Sequence, residues 1–220
     1  MILGNGGLDL PGYEFREKVA DALVHTIGVL AAIVAVSILM VMTALNGDGD
    51  AMVAGAIFGC GLLASFTMSA ARDIVDIKAW KAVLKRADHA AIYLLIAGAY
   101  TPFAWIVVGG QIGFALLAFV WAAAIAGVIL NVALPDSFRK APVVLFLMIG
   151  WALVGAADSL LTNLSKPGLY LMITCAWAFS VGLLFLRWES LPFQNAIWRL
   201  FVLVATGSLY TAIFIELTAS

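Results

Sequence analysis

Charge is scarce in this chain. Only 11% of its 220 residues are Asp, Glu, Lys or Arg, against roughly a quarter in soluble domains. The formal net charge is −1 and no basic cluster with interleaved aromatics occurs, which excludes a nucleic-acid partner. Cysteine is limited to Cys60 and Cys175, both inside apolar runs and without CxxC spacing. They read as packing residues and carry no information on redox compartment. The N-terminus, MILGNGGLDLPGYEFREKVADAL, is polar and mixed in charge, and it lacks a compact apolar core ending in a cleavage site. No cleaved signal peptide is expected, so the first apolar span should act as its own insertion signal.

Apolar sequence is abundant instead: 64% of residues are hydrophobic and the mean hydropathy is +1.07. A membrane span needs about 20 apolar residues, and seven segments qualify, at 19–45, 51–71, 88–108, 111–134, 142–162, 167–186 and 197–218. The expected fold is an all-α membrane protein, a seven-helix bundle forming one domain over 19–218, preceded by a short cytoplasmic segment, 1–18. Joints are marked by NGDGD (46–50), a charged loop from Arg72 to Arg86, GG (109–110), PDSFRKAP (135–142), NLSKPG (163–168) and RWESLPFQ (187–194). Pro and Gly gather at these joints, where the backbone must turn. No internal repeat stands out.

Lys and Arg in short loops set orientation. One side takes Arg16, Lys18, Arg72, Lys78, Lys81, Lys85, Arg86, Arg139, Lys140 and Arg187, whereas the other takes only Lys166. The N-terminus is therefore expected in the cytoplasm and the C-terminus outside, in the cell membrane. Trp80, Trp105 and Trp188, near span ends, read as interface anchors.

Polar residues inside the spans fall at one depth. Glu17, Asp21 and His25 recur every four residues at the start of the first span, so they share a face. Ser65 and Ser69 end the second span, Asp88 and His89 open the third, and Asn195 and Arg199 open the seventh. A charge within a span costs at least a few kcal/mol without a partner or water, so such groups face the bundle interior. Asp88 alone would be explained as a charge complementing the helix dipole, and residues at helix ends can snorkel. His25 and Ser65 lie deeper, and the set predicts a polar chamber near the cytoplasmic surface. Asp158, Glu216 and Asn131 lie near helix ends and receive little functional weight.

The stretch DHAAIYLLIAGAYTPF (88–103) resembles the third-helix signature of the hemolysin III family, relatives of the progestin and adipoQ receptors. EKVADALVHTIG (17–28) is similar to the family's first-helix pattern E-x-x-A-N-x-x-x-H-x-x-G, with Asp21 where Asn is usual. GW (150–151) resembles the start of its fifth-helix motif, and LPFQNAIWRLFVLVATGS (191–208) its seventh-helix P-x-x-H-A-I-W-H-L-F-V-x-x-G-S. The resemblance implies seven helices, a cytoplasmic N-terminus and a zinc ion held near the inner face by one histidine of the second helix and two of the seventh. Those positions fall here on Ser69, Asn195 and Arg199. Ser and Asn are poor zinc ligands, and a guanidinium cannot coordinate a metal. His25, Asp88 and His89 remain as donors, but Arg199 would repel a dication, so no metal or other cofactor is expected. Arg199 is expected instead to supply the metal's positive charge by pairing with Asp88 or Asp21.

Three functions follow. The resemblance implies ceramidase-like amide hydrolysis, in which zinc polarises a carbonyl and activates water; a metal-free variant would have to use Ser65, Asp88 and His89. A non-catalytic protein that binds a lipid or acyl chain in the polar cavity, or acts in membrane homeostasis, fits the substituted positions better. A proton or ion transporter could use Asp21, His25, Asp88, His89 and Arg199 as a relay, but few polar residues continue the path outward. Membrane lipids are the expected partners, and a homo-oligomer is compatible with the pattern.

Overall fold

The computed structural model describes residues 13–75, 77–133, 152, 156–186, 191 and 194–219. Seven α-helices are formed among them: α1 (Tyr13–Asn46), α2 (Gly49–Ile74), α3 (Lys78–Pro102), α4 (Gly110–Ala133), α5 (Ala157–Asn163), α6 (Lys166–Leu186) and α7 (Gln194–Thr218). Stretches of α1, α2, α3, α4 and α7 are long and apolar enough to cross a membrane. Of the predicted fifth span only α5 and residues 152 and 156 fall within the described set. The joints predicted at 135–142 and, for the most part, 187–194 lie outside it.

One joint differs from the expectation. The charged segment 72–86 is not a loop: α2 runs on through Arg72 and Asp73, and α3 is already helical at Lys78. The Val75 N–H donates to the Ala71 carbonyl at 3.0 Å, and the Trp80 and Lys81 N–H groups reach back to Ile77 at 2.9 and 3.2 Å. Lys, Arg, Ala and Leu are good helix formers whether or not lipid surrounds them. The charges therefore mark where helices leave the membrane core, not where they end.

Other joints fall where glycine and proline predict them. Asp48 caps α2, its Oδ1 accepting from the Asp50 and Ala51 N–H groups at 2.9 and 3.0 Å. The third span closes differently. After Pro102, which lacks an N–H, the helix widens into a π-turn over Phe103–Val108 and stops at Gly109, with φ 60°. A widened turn is a common response to a helix irregularity. The side chain of Asn163 fills one opened position by donating to the Val107 carbonyl at 3.0 Å.

Lipid offers helices no hydrophobic reason to associate, so close packing must supply it. The α2–α3 pair shows how: a Cβ on Gly61 would lie 2.7 Å from the Leu94 carbonyl oxygen, and one on Gly98 would lie 3.0 Å from that of Ile57. Two glycines, one on each helix, thus let the backbones touch. Leu39, Phe58, Leu62, Phe103, Ile213 and Leu217 fill the interior. Leu30, Val34, Val41, Leu45, Ile112 and Ile129 remain exposed, as lipid-facing side chains should be.

Candidate functional site

The helices place a chain of charged side chains where α2, α3 and α7 meet. Asp88, on α3, is almost fully buried at 3% exposure. Its Oδ1 accepts from the Ser69 hydroxyl and its Oδ2 from Nη1 of Arg72, both on α2. Arg72 turns its Nε toward Asp73 Oδ1 at 3.1 Å. The other oxygen of Asp73 receives Nη2 of Arg199, from α7, at 2.6 Å. Two carboxylates and two guanidinium groups therefore alternate in one ladder, Ser69–Asp88–Arg72–Asp73–Arg199. The side chains of Asp88, Arg199, Asp73 and Arg72 are 4%, 15%, 20% and 32% exposed. Burial of this degree strips Asp88 of most of its hydration, so its carboxylate depends on a charged partner, whereas Arg72 and Asp73 keep some contact with water.

Helical spacing explains the convergence. Ser65, Ser69 and Asp73 recur every four residues and share a face of α2, with Arg72 three residues from Ser69. Ser65 is buried one turn deeper, at 9% exposure. Among the predicted cluster, then, Ser69, Asp88 and Arg199 join one network and Ser65 lies beside it. His89, next to Asp88 in sequence, is exposed on another face of α3. Glu17, Asp21 and His25 on α1 and Asn195 on α7 belong to described helices, but their side chains lie outside the described residues.

Of the two expected partners of Arg199, Asp88 needs correction: it is taken by Ser69 and Arg72, and Arg199 reaches Asp73. The other, Asp21, has its side chain outside the described residues. Arg72 and Asp73 belong to the last turn of α2, whereas a loop over 72–86 would give them no shared face with Ser69. The four-residue series from Ser65 through Ser69 to Asp73 was the available signal.

An apolar cleft begins one turn from the ladder. It lies between α1, α2 and α7, with Gly28 and Ala31 on one wall, Leu62 and Phe66 on the second, and Leu203 and Gly207 on the third. Its volume is about 80 Å³. Thr206 also lines it, with its hydroxyl spent on the Val202 carbonyl at 2.7 Å. Tyr210 lines the end away from the ladder, its hydroxyl donating to the Ala35 carbonyl at 2.7 Å.

Comparison with known proteins places this architecture. The family model described as Haemolysin-III related matches residues 13–210. The chain belongs to that family. Among its relatives, Hemolysin-3 of Bacillus cereus is 35% identical over 195 residues, 89% of each chain. The Hemolysin-3 homolog of Bacillus subtilis (strain 168) is 34% identical over 198 residues, 90% of this chain and 93% of the relative. The human monocyte to macrophage differentiation factor is 26% identical over 206 residues, 90% of this chain and 83% of the relative. That match supports the kinship with the progestin and adipoQ receptors. Family membership and the long apolar helices together make this hemolysin III relative a multi-pass cell-membrane protein.

The resemblance implies zinc at Ser69, Asn195 and Arg199, and the side chains at these positions do not suit it. The Ser69 hydroxyl is engaged by Asp88. Arg199 presents only N–H donors, one of them 2.6 Å from Asp73, and a guanidinium has no lone pair to give. Among the described residues, no group of three or more His, Cys, Asp or Glu gathers within reach of one metal ion.

Proposed function

We propose that this protein is a non-catalytic hemolysin III-like membrane protein that receives the acyl chain of a membrane lipid in the α1–α2–α7 cleft, in a role tied to membrane homeostasis. In this reading it spans the membrane seven times, with the N-terminus cytoplasmic and the C-terminus outside, in keeping with the ten-to-one partition of Lys and Arg. One observation carries the proposal: a cleft walled by apolar side chains lies one helical turn from a charged ladder. A lipid has the same order, a polar head followed by a chain. The resting volume of about 80 Å³ equals two to three water molecules at about 30 Å³ each. It suits the first carbons of a chain, with the Phe66 ring as the wall that yields.

Hydrolysis is less well served by this chemistry. An acid or base must be free to exchange a proton with substrate or water, and Asp88 already accepts from both Ser69 and Arg72.

Gly207 offers the test, because a Cβ added there meets no atom within 4 Å. Gly207→Leu should fill the cleft without disturbing the helices. Losing two buried methylene groups of a bound chain, at about 0.8 kcal/mol each, corresponds to roughly a tenfold loss of affinity. Mass spectrometry of lipid retained by purified protein should show that drop against the parent. Equal lipid content in parent and variant would remove the cleft from consideration, and turnover of ceramide by the parent would restore the hydrolase reading.

A further inference from the structure

The side chains where the family's zinc would sit do not suit a metal, yet an ion pair joins the two helices there. We propose that the Arg199–Asp73 pair, backed by Arg72 and Asp88, ties α7 to α2 in place of a metal, and that the protein keeps its fold with no metal ion.

Three observations support this. First, the pair joins the right elements. The implied zinc would link the second helix to the seventh, and Arg199 Nη2 reaches Asp73 Oδ2 at 2.6 Å between those two helices, α7 and α2. Asp73 stands one turn beyond Ser69, the implied second-helix ligand position. Second, the charge is of the right sign and already neutralised. A guanidinium at Arg199 supplies positive charge inside the bundle, and a dication beside it would meet direct repulsion, which low-dielectric surroundings strengthen. Third, the tie extends beyond one contact. Arg72 bonds Asp73 through Nε and Asp88 through Nη1, so α3 is joined to the same network. A zinc ion gains its strength from fixed coordination geometry; here strength comes from alternating charges, with Arg72 and Asp73 each meeting two opposite charges and Asp88 almost fully buried.

The inference does not depend on what occupies the cleft, and its test reads the protein's stability rather than its lipid. The full chain in mild detergent would be prepared as the parent, Asp73→Asn, Arg199→Gln and the double variant, each melted with and without a chelator. Metal content would be measured by mass spectrometry. Each single substitution should lower Tm by about 5–10 °C, on the scale of a broken buried pair in a chain of this size. The double variant should fall little further than the worse single one, because one shared interaction is lost once. The parent should melt unchanged in chelator and hold far less than one equivalent of metal. Additive single effects would overturn the proposal. So would a parent that holds about one equivalent of zinc and melts lower when it is removed. Should the single variants not fold, the same cycle with Asp73→Glu and Arg199→Lys is read in the same way, since both keep the charge while altering reach.

Discussion

At the Asp88 end of the bundle, α2, α3 and α7 meet through two carboxylates and two guanidinium groups. At the opposite end, α6 and α7 meet through a carboxylate for which the described residues provide no cation. Glu216, near the close of α7, accepts from the Ser165 N–H at 3.2 Å and from the Ser165 hydroxyl at 2.5 Å. Ser165 in turn caps α6, its Oγ accepting from the Gly168 N–H at 3.1 Å. Unpaired N–H groups and the aligned dipoles give a helix N-terminus a partial positive charge. One end of the molecule thus balances carboxylates with whole charges, and the other balances one with a fraction of a charge. A fractional partner suffices only for a group that keeps some contact with water, whereas Asp88, at 3% exposure, needs full cations.

That difference predicts unequal losses. Asp88→Ala strips Arg72 of its deeper partner inside the bundle, and breaking a buried pair from one side costs about 3–5 kcal/mol. Arg72 is a third exposed and retains Asp73, so the lower bound applies. Glu216→Ala removes a carboxylate from a helix N-terminus but leaves Ser165 as the cap, with a cost of about 1 kcal/mol. Thermal melts of both variants in one detergent should show the Asp88 variant falling roughly three times as far. Equal shifts would mean that the two ends are held alike and that the ladder has no special weight.

Gly168→Ala sharpens the other side of the comparison. A Cβ at that position would clash with Glu216 Oε1, so the carboxylate must retreat from Ser165. Forced displacement in a packed site costs about 1–3 kcal/mol. If Glu216 is what makes the site tight, the double variant Gly168→Ala/Glu216→Ala should be no less stable than Glu216→Ala alone. A double variant that falls by the sum of both losses would locate the clash elsewhere.

Much of this organisation is legible in the chain itself. Apolar runs mark the cores of the spans, and Gly109 and the Asp48 cap lie at joints that glycine and aspartate predict. Depth along the spans marks Ser69, Asp88 and Arg199, which one network connects. The network's centre is legible only in the four-residue series Ser65–Ser69–Asp73 and not in hydropathy, for a physical reason. Hydropathy reports where lipid ends, and α2 continues beyond that point to Ile74 with Arg72 and Asp73 in its last turn. The helical face therefore runs past the apolar stretch to the two residues that link the ladder. Glu216 escaped for a different reason: its partners are a hydroxyl and backbone N–H groups, and no pattern of side-chain charge marks a carboxylate that answers a helix terminus.

Neutral ties at the two ends provide the finest control on the contrast. Near the Glu216 end the Asn46 side chain donates to the Thr218 carbonyl at 3.1 Å. Near the Asp88 end the Asn131 side chain donates to the Arg86 carbonyl at 2.7 Å, and Arg86 Nη1 returns a bond to the Val132 carbonyl at 3.1 Å. Both asparagine bonds lie in exposed surroundings, where water replaces a lost partner and the net cost is about 0.5–1 kcal/mol. If charge and burial set the difference between the ends, Asn46→Ala and Asn131→Ala should lower Tm by similar small amounts, about 1–4 °C. A markedly larger loss for Asn131→Ala would show instead that the Asp88 end is intrinsically the more fragile, whatever groups are removed from it. The excess attributed to Asp88 would then belong to its location and not to its ion pairs.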